Sequence, residues 1–283
     1  MAELNGKPLN GRVALVTGAN TGIGRVTALE LAKQGAHVFA ACRSAERAQS
    51  VLDEIRSIPG SGTVEFLQLD LSDLESVRLC AKAFLARDLP LHLLINNAGL
   101  AGARGMTKQG FELAFGVNHL GHFLLTQLLL DRIKASAPAR IVTVASKAHY
   151  RAAGIDWEAV RARTQTAAGL REYCVSKLAN VLFSTELGRR LAGSGVSSYS
   201  LHPGVVGTDV WRSVPWLFRS IVKLVTLSPE RGAQTTLHCA TSPGLAAETG
   251  LYYDECRTKV PSKVARDANL ATELWNRSED WLR

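Results

Sequence analysis

Short runs of β-branched and apolar residues alternate along the chain with longer stretches whose apolar positions recur at helical spacing. The runs 13–18 (VALVTG), 37–42 (HVFAAC), 63–70 (TVEFLQLD), 91–96 (LHLLIN), 139–146 (ARIVTVAS) and 196–202 (VSSYSLH) read as strands. Between them lie predicted helices at 25–35, 44–58, 72–86, about 109–135 and about 170–192. Ser44 stands where an N-cap belongs, and Ser72 with Glu75 makes an S-x-x-E capping box. The run 91–96 is almost wholly apolar, as a strand buried on both faces must be. Helical segments are expected over much of the chain after 202. Such strand–helix alternation predicts an α/β fold, a doubly wound parallel sheet with helices on both faces. No linker-like stretch and no repeat interrupts residues 1–283, so one domain is expected. A TIM barrel is the rival architecture, but it has no need of a glycine loop after its first strand.

Composition narrows the class. Apolar residues make up 46% and charged residues 20%, which excludes a disordered chain. The 33 Lys and Arg against 25 Asp and Glu leave a net charge of +8. These cations are spread among acids, as in RSAERAQSVLDEIR (43–56), and do not cluster with aromatics, so nucleic acid is not an expected partner. Attraction to anionic ligands or lipid surfaces stays open. The five cysteines are odd in number and scattered, with no C-x-x-C, which argues against zinc and against a secreted disulfide scaffold and fits a reducing compartment. The opening MAELNGKPLNG has no apolar signal core, and no run is read as long enough to span a membrane.

Three clusters carry chemistry. Thr17-Gly18-Ala19-Asn20-Thr21-Gly22-Ile23-Gly24 falls between the first strand and the first helix. Its glycines would let a pyrophosphate approach the amide N–H groups at a helix N-terminus, although the G-x-x-x-G-x-G spacing differs from G-x-G-x-x-G and an ordinary turn could use the same glycines. The second strand ends Ala40-Ala41-Cys42-Arg43 without the acid that NAD-binding folds place there. Arg43 can instead pair with a 2′-phosphate, so NADP (as NADPH) is the expected cofactor; the bland alternative is a solvated arginine. Tyr173 and Lys177 share one helix face, and the ammonium would lower the phenol pKa.

Asn96-Asn97-Ala98-Gly99, Asn118, Ser146 and His202-Pro203-Gly204-Val205-Val206-Gly207-Thr208 complete the set. The strand-end segments would lie at the carboxyl edge of the sheet, where ligands bind in doubly wound folds. In this order, T-G-x-x-x-G-x-G, N-N-A-G, Asn, Ser, Y-x-x-x-K and P-G-x-V-x-T resemble the short-chain dehydrogenase/reductase family, with a Rossmann-type fold. The resemblance runs on through GAQT (232–235), GLYYD (250–254) and ELW (273–275). Within the family the chain looks most similar to the microsomal and photoreceptor retinol dehydrogenase group, through GANTGIG (18–24), ACR (41–43), LDLSD (69–73), GVNHLGHFLLT (116–126) and YCVSKLANVLF (173–183).

The resemblance implies that Tyr173 donates or accepts the proton, Ser146 hydrogen-bonds the reacting oxygen, Lys177 binds the nicotinamide ribose and Asn118 supports a water path to Lys177. It assigns Asp70 and Leu71 to the adenine and Thr208 to the carboxamide, with Gly18 to Gly24, Asn97, Ala98, Gly99, Pro203, Gly204 and Val206 also at the cofactor. Leu100, Val205, Trp211 and Trp216 are candidate walls of a substrate tunnel, and 205–228 reads as a substrate lid, a core helix or a basic amphipathic membrane contact.

Departures matter too. The group's usual N-terminal membrane anchor has no counterpart here, and Thr143-Val144-Ala145-Ser146 replaces N-V-S-S with the second serine kept. The stretch between Ser146 and Tyr173, carrying Arg151, Asp156, Trp157, Arg161 and Arg163, is long and is expected to wrap the cleft mouth. His119 and His122 have no third ligand, so no metal is expected, and Cys174 reads as a packed thiol. Phe123, Leu124, Leu125, Leu128, Leu129 and Leu130 cover more than one helix face, which suggests a homodimer or tetramer.

The expected activity is hydride transfer between NADP and a retinoid or similar lipid carbonyl or alcohol, in the cytoplasm or peripherally on the endoplasmic reticulum membrane. The rivals are a general carbonyl reductase for apolar aldehydes, ketones or steroids, and a non-catalytic NADP-binding sensor or scaffold.

Overall fold

In the computed structural model, residues 6–204 and 228–283 are described. They form one eight-stranded sheet of order β3-β2-β1-β4-β5-β6-β7-β8. The strands are β1 (Val13–Thr17), β2 (His37–Cys42), β3 (Val64–Gln68), β4 (Leu93–Asn96), β5 (Ala139–Val144), β6 (Val196–His202), β7 (Leu251–Asp254) and β8 (Arg257–Thr258). All neighbours pair in parallel except β7 with β8. The sheet is open, with β3 and β8 at its edges, which removes the barrel rival.

Helices cover both faces. Helices α1 (Gly22–Lys33) and α2 (Ala45–Ser57) lie on one side, with α6 (Pro229–Thr241) packed on α1. On the other lie α3 (Leu74–Leu85), α4 (Leu113–Ala135) and α5 (Leu170–Arg190), with α7 (Ala268–Leu282) laid over α5. Strands β1 and β4 are buried throughout, which is why their sequences lack a polar face, while β6 is almost as buried but carries Ser198, Ser200 and His202 along one side.

The chain winds outward from β1 to β3, then returns to lay β4 against the other side of β1. The loops after β1 and β4 therefore diverge at the carboxyl edge and leave a crevice between them.

Several boundaries moved for identifiable reasons. Ser44 caps α2, its hydroxyl accepting the Arg47 N–H. At α3, however, Asp73 is the cap and accepts the Glu75 N–H, while the Ser72 hydroxyl donates back to Asp70. Where the sequence pattern predicts helical segments, the short β7 and β8 stand instead. Their turn holds Glu255 and Cys256 at φ of 52° and 60°, a conformation usually announced by Asn or Gly, so the hairpin carries no sequence signal.

Helix α4 begins at 113, not 109, and contains a π-turn over Gly116–Leu120. Contrary to the expectation from sequence, it is long and apolar enough to cross a membrane by length and composition, yet most of it is buried inside the protein. Phe123, Leu124, Leu125 and Leu129 face the chain's own core, where the α7 residue Trp275 stacks edge-on to Phe123 at 4.9 Å. Leu128 and Leu130, the other two residues of that apolar run, stay only half-buried.

The long stretch after Ser146 largely misses the cleft. Trp157 lies under the Arg277 guanidinium at 4.7 Å, and Arg161 covers the Phe111 ring at 4.1 Å. Of the five residues named there, only Arg151 lines the crevice.

Candidate active site

Residues 18–21 lead from β1 straight into α1, whose first turn holds no acid. A Cβ at Gly24 would stand 2.3 Å from the Gly18 carbonyl oxygen and 2.4 Å from Asn97 Nδ2, so only glycine lets the helix approach this closely. The positive end of the α1 dipole is left to face an anion. Above it opens a cavity of about 720 Å³ that continues to Ser146, Tyr173 and Lys177. A glycine cradle of this kind, continuous with a deep crevice at the switch point, fits a dinucleotide.

Gly18, Asn20, Thr21, Gly22, Ile23 and Gly24 line the cradle, with Arg43, Asp70 and Leu71 beside them and Asn97, Ala98, Gly99 and Leu100 along the β4 edge. Ala19 does not line it: its methyl is fully buried in the core beneath the loop. Pro203 and Gly204 close the far side. Val205, Val206, Thr208, Trp211 and Trp216 lie outside the described residues, as does nearly all of the expected 205–228 lid.

At the cradle end, Arg43 is joined by Arg47 in the first turn of α2. Burial pushes the thiol of Cys42, which precedes Arg43, up, and both guanidiniums oppose that shift. Sequence reading missed Arg47, because Arg43 lies before the helix that carries Arg47 and no helical spacing links them.

The other end is buried and wired by hydrogen bonds. Tyr173 and Lys177 project from α5, with Lys177 Nζ 5.7 Å from the tyrosine ring centre. Lys177 Nζ donates to the Val144 carbonyl at 2.9 Å, and burial lowers its pKa to about 8. Ser146 lines the same cavity as Tyr173. Tyr173 lacks the depression expected from Lys177. Its burial raises the phenol above its usual value, and the nearby Ser146 hydroxyl only opposes that rise.

Asn118 stands behind this group, not on the cavity wall. From the π-turn its side chain accepts the Leu100 N–H at 2.9 Å and donates to the Leu100 carbonyl at 3.0 Å and the Ser176 hydroxyl at 2.9 Å. It lies close to Lys177, since a Cβ on Gly99 would be 3.3 Å from Asn118 Oδ1 and 3.5 Å from Lys177 Nζ.

Around Ser146 and Tyr173 the wall turns apolar with Leu100, Ala101, Leu113, Val117, Ala148 and Leu170. Leu113, Val117 and Leu170 were missed because nothing in their sequence sets them apart from the core apolar residues of the same helices. His202 also reaches the cavity; burial and the Lys147 cation lower its pKa to about 4. Cys174 is buried and its thiol is pushed up by that burial. Among the described residues no group of three or more His, Cys, Asp or Glu could hold a metal.

The family model for short chain dehydrogenase matches residues 12–215. Human (Homo sapiens) retinol dehydrogenase 11 is 47% identical over 281 residues, covering 97% of this chain and 86% of that protein. Among solved structures, an uncharacterized protein from Mycobacterium paratuberculosis superposes with a TM-score of 0.77 at 34% identity, covering 97% of this chain and 94% of its own. An NAD(P)-dependent gluconate 5-dehydrogenase from Beutenbergia cavernae, solved with bound NADP, superposes at 0.70 with 28% identity and covers 88% and 97%. With the cradle, the tyrosine–lysine pair and the serine at one carboxyl edge, the chain belongs to the short-chain dehydrogenase family of oxidoreductases.

Proposed function

We propose that the protein is an NADP-dependent oxidoreductase acting between the alcohol and carbonyl forms of a retinoid or a similar apolar lipid. One observation carries the reading. A single cavity joins a glycine cradle flanked by two arginines to a half-buried tyrosine and serine and a buried lysine set in an apolar wall.

Gly18 to Gly24 would hold the pyrophosphate, Asp70 and Leu71 the adenine, and Asn97 to Gly99 the nicotinamide side. Arg43 and Arg47 favour a 2′-phosphate through charge-assisted bonds, and no acid at the end of β2 competes for a ribose hydroxyl. When bound, the nicotinamide supplies or takes the hydride.

The protein handles the proton. A phenol raised by burial stays protonated at neutral pH, so Tyr173 is poised to donate to the oxygen of a carbonyl being reduced. Ser146, on the same cavity wall, would stabilise the same developing oxyanion. Lys177, anchored on the Val144 carbonyl, would reach the nicotinamide ribose.

Leu100, Leu113, Val117 and Leu170 suit a long apolar substrate, and retinol dehydrogenases are among the relatives. The five cysteines are free, which fits a reducing compartment, in the cytoplasm or at the endoplasmic reticulum surface.

The test supplies NADPH with all-trans-retinal and with aldehydes of increasing length, following products by chromatography. Each added buried methylene is worth about 0.8 kcal/mol, so kcat/KM should climb by orders of magnitude with chain length. Equal reduction of short polar aldehydes would replace the retinoid reading with a general carbonyl reductase. NADPH binding without turnover of any carbonyl would leave a nucleotide-binding sensor.

A further inference from the structure

One imidazole connects two parts of the site that the sequence motifs leave separate. His122 lies one turn beyond Asn118 on α4 and is 1% exposed. Its Nε2 is 2.8 Å from the Thr17 hydroxyl at the end of β1, and its Nδ1 is 3.0 Å from the Asn118 carbonyl.

Proton accounting settles the direction of both bonds. The Thr17 oxygen accepts the Asn97 and Ala98 N–H groups, each at 2.9 Å. That leaves one hydroxyl proton to place. The Ile95 carbonyl is 3.3 Å away and His122 Nε2 only 2.8 Å, so the proton points at the ring. Nε2 is therefore an acceptor, and the ring proton sits on Nδ1 and donates to the Asn118 carbonyl, an acceptor only. A protonated ring would carry a proton on both nitrogens and break the Thr17 bond. Burial and the neighbouring Lys177 cation hold the ring neutral, lowering its pKa to about 4, while the Asn118 bond pulls the other way.

Thr17 bears the 97–98 backbone along the cavity edge, and the π-turn gives Asn118 its reach to Leu100 and Ser176. We infer that His122, as the neutral Nδ1–H tautomer, is a positioning residue that sets the 97–99 loop and Asn118 relative to each other, acting through Thr17 and the Asn118 carbonyl. The inference rests on the proposed oxidoreductase reading for what those two parts do. Nothing in it requires the imidazole to touch substrate, and a metal role is not involved.

The experiment has two arms. In the first, kcat and KM are measured with NADPH and retinal for wild type, His122→Phe and His122→Gln. A misplacement of reacting groups costs on the order of 10–100-fold, so His122→Phe should lose about that much kcat with KM little changed. Glutamine can accept from Thr17 through its amide oxygen and donate to Asn118 through its nitrogen, and it should recover most of the loss. Wild-type kcat in His122→Phe, or no recovery in His122→Gln, overturns the inference.

The second arm needs no variant activity: ¹⁵N NMR of the histidine-labelled wild type reads the tautomer directly. A ring protonated on Nδ1 that does not titrate down to pH 5 supports the inference; an Nε2–H tautomer or titration near the ordinary histidine value overturns it. A wild type that turns over no carbonyl defeats the proposed function instead, and the NMR arm still reports on the ring.

Discussion

The two ends of the cavity hold charge in opposite ways. At the cradle, Arg43 and Arg47 are exposed, with solvated guanidiniums that contribute little to the fold. At the far end, Lys177 and His122 are buried, as is His119 farther along the same helix among phenylalanines, and burial moves each of them well away from its ordinary pKa. Selectivity by charge tolerates solvent, because a 2′-phosphate need only be distinguished from a hydroxyl. Proton transfer does not tolerate it, because a phenol must be held at one oxygen in a defined protonation state. Substitutions at the two ends should therefore separate, with the first moving affinity alone and the second moving rate and stability.

The largest effect is expected at the buried end. Tyr173→Phe should lower kcat by about 10²–10⁴-fold while NADPH affinity and melting temperature stay near wild type, since one hydroxyl is lost. Steady-state kinetics with fluorescence titration of NADPH checks this, and a large fall in affinity would erase the distinction between the ends.

At the exposed end, charge-assisted bonds are worth about 1.5–3 kcal/mol, so Arg43→Asp should cut the preference for NADPH over NADH by about 10–100-fold. The melting temperature should not change, and added salt should shrink the wild-type preference. Equal affinity of wild type for both cofactors would contradict the reading of this end.

Lys177→Met isolates what the buried charge costs. Folded Lys177 titrates at about 8, below its unfolded value, so between those pH values the unfolded chain holds the extra proton and stability rises with pH. The penalty is therefore present below pH 8. The variant should be more stable than wild type by about 1–3 kcal/mol at pH 7, an advantage that fades toward pH 10. Val144 keeps a partner, because Asn180 Nδ2 also donates to its carbonyl at 3.1 Å. Denaturant melts across pH measure it, and a destabilised variant would mean that the ammonium is net favourable.

The smallest effect is at His119, whose ring packs among Phe115, Phe123 and Phe183 with a pKa lowered to about 3. Below its unfolded pKa the unfolded chain takes up the proton first, so this contribution is intact at pH 7 and declines as the pH falls toward 3. His119→Phe should remove about 1–2 kcal/mol of the stability lost between pH 7 and pH 5. An unchanged slope would show that the acid response comes from His122 and His202 instead.

The sequence by itself determined the alternation of strands and helices through β6, because short β-branched runs and 3.6-residue periodicity are local signals that burial on both faces enforces. It also exposed Tyr173, Lys177, Ser146 and the glycine loop, whose spacing has few other uses in combination. It could not show that Ala19 turns into the core, since loop and core residues look alike when the backbone path is unknown. Nor could it show that Arg47 joins Arg43, that Leu113 and Leu170 form the apolar wall, or that the hairpin β7–β8 exists.

Tertiary structure decided these because each depends on neighbours distant in the chain. The π-turn is the clearest case: one widened turn in an otherwise helical run brings Asn118 to Leu100, and only the fold sets His122 between Asn118 and Thr17, 105 residues away. A histidine on an apolar helix face carries no such information in sequence, because its partners are a backbone carbonyl and a hydroxyl that any strand end could supply.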